Sequence, residues 1–181
     1  MTTPYTYRAS SDFINELKFD YVETYSFQRG SKWEEYLKSA LTEYQALHRR
    51  KEIHRITKEQ EEKYEYLHKL TTTQFLIDAD GNFHASSEKI QTLKKNDLKL
   101  KELVAILEVD ANDVPAWMCG PVYRDAIVFY DNSGRIISTL NICFSCQYMA
   151  TKMFSEIMAD VKVYQLLRDF FVELGHEIEQ E

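Results

Sequence analysis

Three cysteines stand within 28 residues, as Cys119 and the pair in Cys143-Phe-Ser-Cys146. Thiolates are soft ligands, so the set suggests a zinc ion held at about 2.3 Å from each sulfur. Zinc takes four donors, and His84 or His176 would have to complete the set. A Cys-x-x-Cys is also the spacing of a redox pair. That chemistry wants the first cysteine at a helix N-terminus, where the dipole stabilises thiolate. Here Cys143 closes the apolar stretch Leu140-Asn-Ile-Cys-Phe144. A third reading is three buried free thiols, the ordinary state of a small apolar side chain in a reducing compartment. An odd number of cysteines does not suggest a disulfide framework. In a regular strand Cys143 and Cys146 point to opposite faces. An unbroken hairpin register also leaves Cys119 near Gln147, roughly 13 Å from Cys143. Only a sharp bend at Gly120-Pro121 or after Phe144 would gather the sulfurs.

The carboxylates are the second chemical resource. The chain has 181 residues and a formal charge of -7, unevenly spread. Residues 1–101 carry 17 basic and 16 acidic residues, whereas residues 102–181 carry 5 and 13. A pair of carboxylates can do general acid–base work, but nothing in the spacing selects a pair. Taken as a field, they make a negative surface that speeds encounter with a basic protein. Asp110, Asp113, Asp125, Glu173 and Glu177 are the candidate partner-binding residues. The acidic balance argues against nucleic acid or an anionic membrane as a partner. The run His48, Arg49, Arg50, Lys51, His54 and Arg55 is the one basic cluster, read as a solvated helical face or a contact for the chain's own acidic half.

Other signatures fail on spacing. Asp78-Ala-Asp-Gly-Asn82 places its glycine fourth, where a calcium loop needs it sixth. There is no G-x-S-x-G, H-E-x-x-H, G-x-x-x-x-G-K or G-x-G-x-x-G. A hydrolase would need an unfamiliar site, for example a pocket gathering His84 or His176 with carboxylates.

The elements that must position these residues follow from periodicity. Ser31 with Glu34 reads as a capping box. After it Trp33, Leu37, Ala40, Leu41, Tyr44 and Leu47 recur at helical spacing. Thr57 with Gln60 reads as a second box, giving two helices near 31–55 and 58–70 or one long helix with a kink. Before them, Asp12 to Phe27 starts as a helix with Phe13, Ile14 and Leu17 inward, and Tyr21 to Phe27 reads equally as its continuation or as a strand, since its aromatic and β-branched residues alternate with polar ones. Gln74 to His84 reads as strand, turn, strand. Ser87 reads as the cap of a short helix through Leu93. Asp97 reads as the cap of another, with Leu100, Leu103, Val104 and Leu107 inward. The clearest signal is a hairpin. Tyr123–Tyr130 and Ile136–Phe144 flank Asn132-Ser133-Gly134, with Gly134 left-handed, Asp131 opposite Arg135 and Tyr123 opposite Cys143. Tyr148 to Phe154 reads as a third strand. A final helix runs from about Asp160 to Leu174, with Gly175 as its stop.

Cys119-Gly-Pro-Val-Tyr-Arg-Asp-Ala-Ile-Val-Phe-Tyr-Asp131, Gly134-Arg-Ile, Ile142-Cys-Phe-Ser-Cys146 and Leu166-Leu-Arg-Asp-Phe-Phe171 form a pattern. Over residues 119–178 it resembles small uncharacterised bacterial proteins with a cysteine, a hairpin, a C-F-x-C and a terminal Phe-Phe helix. The resemblance implies that the three cysteines act together. It brings no activity and no catalytic residue.

These observations predict one α+β domain over residues 1–181. A small antiparallel sheet centred on the 123–144 hairpin is covered by the C-terminal helix and by a helical half, residues 1–101. The N-terminus shows no export signal and no segment long enough to span a bilayer, so a cytoplasmic location is expected. The expected function is non-enzymatic: a protein-binding module, such as an immunity-type neutraliser of a toxin, acting through an acidic surface without a cofactor. The alternative is a zinc or thiol-redox protein built on Cys119, Cys143 and Cys146.

Overall fold

The structure is a computed structural model that describes residues 4–116 and 119–178. It is α+β, with twelve elements among the described residues. In chain order they are β1 (Thr6–Ala9), α1 (Ser10–Glu16), β2 (Tyr21–Ser26), α2 (Ser31–Glu52), α3 (Lys58–Thr71), β3 (Glu88–Lys94), α4 (Leu98–Leu107), β4 (Asp125–Tyr130), β5 (Ile136–Cys143), β6 (Tyr148–Lys152), β7 (Ser155–Met158) and α5 (Val161–Glu173). The chain forms two compact units, Gln28–Gln74 and the remainder.

The sheet is larger than the sequence suggests. Seven strands run in the order β1-β7-β6-β5-β4-β2-β3, all neighbours antiparallel except the parallel pair β1–β7. The extra strands come from short segments. Glu88–Lys94, expected as a helix, is β3, because its ladder to β2 overrides a weak helical propensity. The stretch expected as one strand over 148–154 breaks at Phe154, whose φ is +64°, and returns as β7. Gln74–His84 makes only a single bridge, Ile77 to Phe83.

Each face of the sheet has its own cover. On one face Ile127, Phe129, Leu140, Ile142, Met149 and Ile157 share a core with Phe13 and Ile14 of α1, Leu100, Leu103 and Leu107 of α4, and Val163, Leu167, Phe170 and Phe171 of α5. Each such side chain contributes roughly 1.5–3 kcal/mol by leaving water. The other face carries Ala126, Val128, Tyr130, Cys143 and Ala150, packed with Phe27, Leu76 and Tyr123. Leu76 is held there by its backbone N–H, which donates to Asn141 Oδ1 at 2.8 Å, while Asn141 Nδ2 donates to Ala150 O. This buried amide hydrogen-bonds a loop that has no ladder of its own.

The 123–144 hairpin holds with one change. Gly134 has φ +83°, and Asp131 faces Arg135, whose Nε donates to Asp131 Oδ2 at 3.0 Å. A bulge at Phe129/Tyr130 then shifts the register by one, so Asp125 pairs with Ile142 and the expected Tyr123–Cys143 alignment is lost. In the Gln28–Gln74 unit, α2 and α3 bury Ala40, Leu47, Tyr64 and Leu67 in a core of their own. The Thr57–Gln60 capping box is present. The one expected at Ser31 is not, because Gly30 occupies the cap position and Ser31 is already helical.

Candidate functional site

Three constellations could carry function. The first is a chain of polar side chains sealed under α5. Gly175 takes φ +97° and turns the chain at the helix end, where His176 N–H donates to Phe171 O. The imidazole is thereby folded inward. Its Nδ1 lies 2.8 Å from Asp125 Oδ1 on β4 and its Nε2 lies 3.0 Å from Thr24 Oγ1 on β2. A carboxylate oxygen only accepts, so Nδ1–H donates to Asp125, while Nε2 shares a hydrogen bond with the Thr24 hydroxyl. The order hydroxyl, imidazole, carboxylate is that of nucleophilic catalysis. Here, however, all three residues are buried, the His176 side chain at 0% exposure. A sealed hydroxyl meets no substrate. The trio instead joins α5 to two central strands.

The second is an acidic strip made of carboxylates at the two ends of α5. Asp160 caps α5 by accepting from Lys162 N–H, and its other oxygen accepts from Asn112 and Asp113 N–H. These backbone donors hold its carboxyl below the usual range. They also place exposed Asp110 and Asp113 beside the start of α5. At the other end, about 20 Å along a thirteen-residue helix, Glu173 and Glu177 are exposed, with Glu173 ion-paired to Lys99 of α4. Four of the five expected partner-binding residues therefore lie at two ends of one strip. The fifth, Asp125, does not belong to it. It sits on a strand buried throughout, where no second protein can reach it. Between these ends a cleft of about 590 Å³ opens beside α5, lined by Ser145, Gln147, Tyr164, Gln165, Arg168 and Phe144, with Asp169. Burial, and beyond it Glu156 and Cys143, push the Tyr164 phenol up.

The third is an aromatic ledge at the β1 end of the sheet. Tyr5 stacks on Tyr7 at 4.8 Å and meets Phe154 edge-on at 6.0 Å. The Tyr5 and Tyr148 hydroxyls are 2.6 Å apart, and Tyr148 donates to Glu156 Oε2 at 2.5 Å. Burial and the Glu156 hydrogen bond push the Tyr148 phenol well up. Tyr5, Tyr7, Met153 and Phe154 are all exposed. No sequence motif marks this ledge. Its signal was the pattern Tyr5-Thr-Tyr7, which reads as a strand only once β7 is known.

The cysteines do not form a ligand set. Cys119 and Cys146 are joined as a disulfide, and Cys143 is a buried free thiol whose Sγ lies 3.4 Å from Ser145 Oγ. Two sulfurs on one tetrahedral zinc would stand about 3.8 Å apart, not bonded. Among the described residues no group of three His, Cys, Asp or Glu could hold a metal. The expectation of three free thiols fails at the turn after Phe144, where Gln147 takes φ +48°. That turn is one of the two bends named above as able to gather sulfurs. His84 lies apart, with Nδ1 2.9 Å from Ser86 Oγ. The basic run on α2 is exposed apart from half-buried Lys51, which ion-pairs with Glu61 and Glu65 within its own unit. No helix among the described residues is long and apolar enough to cross a membrane. The chain matches no known family model, no curated protein and no solved structure.

Proposed function

We propose that this chain is a non-enzymatic protein-binding module, of the kind that neutralises a basic protein such as a toxin by covering it. One observation carries the reading. The carboxylates at the two ends of α5 are exposed, while the hydroxyl–imidazole–carboxylate chain that might have turned over a substrate is sealed. Exposed carboxylates steer a basic partner and set its orientation. The cleft beside α5 offers Gln147, Gln165, Ser145 and Asp169 to one inserted side chain of that partner.

The test begins with capture of the partner from the host lysate and measurement of its association rate against ionic strength. The rate is expected to fall at least tenfold between low and physiological salt. Asp110→Lys with Asp113→Lys, or Glu177→Lys, is expected to weaken binding about tenfold, mostly through the on-rate. An association indifferent to both salt and charge reversal overturns the proposal.

A second reading, thiol chemistry on Cys119, Cys143 and Cys146, is favoured by the Cys119–Cys146 bond. That bond runs against a cytoplasmic location, where disulfides are kept reduced. Thiol counting on protein isolated with rapid alkylation separates the two: three alkylated thiols favour the binding reading in a reducing compartment, and one favours the thiol reading.

A further inference from the structure

The two ends of the sheet are built differently. At one end β3 presents exposed Lys89, paired with Glu23, and exposed Lys94, with exposed Lys95, paired with Asp20, following. Charged side chains, lysine above all, keep an edge strand from pairing with another chain. At the other end β1 presents Thr6 and Tyr7, the latter 62% exposed. Its single charge, Arg8, is bound to Glu16 and to Asp12 O. Thr6 N–H donates to Phe154 O. In a parallel ladder the residues that face the neighbour alternate with those that face away. The N–H and C=O of Tyr7 therefore point away from β7, with no partner among the described residues.

We propose that β1 pairs with β1 of a second copy of this chain, antiparallel about a two-fold axis at Tyr7. A partner for this edge must bring an open strand of its own, and β1 is such a strand. Placed opposite itself, Tyr7 exchanges both backbone hydrogen bonds with Tyr7 of the copy, an arrangement that is self-complementary and closed. The axis stands perpendicular to the sheet, so the two aromatic ledges meet on the same face. Tyr5, Tyr7, Met153 and Phe154 carry no charge, so the copies are not repelled locally despite the net -7. The lysine-bearing β3 edge stops growth at two. The exposed parts of these four side chains come to roughly 400 Å² per copy. An interface of about 800 Å² lies below the range of stable complexes, which makes this a weak, reversible dimer. The inference is independent of the acidic strip.

Sedimentation equilibrium of the full chain tests it, at concentrations from about 1 μM to about 1 mM. The weight-average mass is expected to rise with concentration from 21.4 kDa toward twice that value and no further. Tyr7→Pro removes the outward N–H and the Tyr7 ring together, leaves the N–H groups of Thr6 and Arg8 that face β7, and is expected to hold the mass at the monomer value. Tyr7→Lys sets two cations face to face and is expected to weaken association at least tenfold, with an unchanged far-UV spectrum, so it decides the matter if the proline variant fails to fold. A mass constant across the range overturns the proposal. So does growth beyond two copies, and so does a dimer that survives both substitutions.

Discussion

Two polar networks in this molecule use the same kinds of atoms for opposite ends. Thr24, Asp125 and His176 link β2, β4 and the chain after α5, and all three are buried. Tyr5, Tyr148 and Glu156 link the strands at the other end of the sheet, and Tyr5 is nearly half exposed. Burial decides what each can do. In a dry interior, a charge left without its partner is very costly, so a sealed network fixes the shape of the fold. At the surface the same bonds are worth little in stability, but they hold aromatic rings in one orientation. That lowers the entropy lost when another surface meets them.

The sharpest way to break this comparison is at His176. His176→Ala leaves the Asp125 carboxylate buried without its imidazole, and is expected to cost about 3–5 kcal/mol in urea unfolding. Thr24→Val keeps the shape and removes one hydroxyl, and is expected to cost about 1–2 kcal/mol. A His176→Ala loss no larger than that of a surface substitution would mean that the trio does not tie α5 to the sheet.

The ledge is expected to respond less to mutation and more to alkali. Tyr148→Phe removes two hydrogen bonds, with Tyr5 and to Glu156, between part-exposed groups, so its cost is expected to be about 1 kcal/mol. The pH dependence has a definite sign. The folded phenol of Tyr148 is raised by burial and by Glu156, so its contribution is fully present below the unfolded value of about 10. It is lost as the pH climbs from there toward the folded value. Tyr25, raised to about 12 by burial and by Glu23, adds in the same direction. Urea midpoints should therefore fall above pH 10, and less steeply in Tyr148→Phe. Equal slopes in both proteins would remove the ledge hydrogen bond from the account.

The sequence made the local pieces legible. Gly134, the Thr57–Gln60 box and Gly175 each act within a few residues, and a short window of chain suffices to read them. What it hid was long-range. Tyr7 pairs with Glu156 and His176 meets Thr24 across 152 residues, and no periodicity encodes such distances. Asp125 looked like one surface carboxylate among many because its strand, Asp-Ala-Ile-Val-Phe-Tyr, begins with a charge; only the central position of β4 shows that it is buried. The cysteines failed for a related reason. The strand is regular only as far as Cys143, and the turn after it redirects Cys146 toward Cys119.

The smallest expected effect belongs to a third carboxylate, at the surface in the hairpin turn. Asp131 accepts from the Ser133 hydroxyl and from the backbone N–H groups of Ser133 and Arg135, besides its bond from the Arg135 side chain. The Ser133 hydroxyl bond, with the others, lowers its carboxyl to about 2 from an ordinary 3.8. A depressed folded value stabilises above the unfolded one, so the contribution is complete above about pH 4 and disappears as the pH falls through 2. Asp131→Ala should therefore unfold slightly earlier than the parent at neutral pH, with the gap between them closing in acid. A gap that stays constant down to about pH 2 would take these hydrogen bonds out of the account and leave the turn to Gly134, at φ +83°, and to the strand ladder.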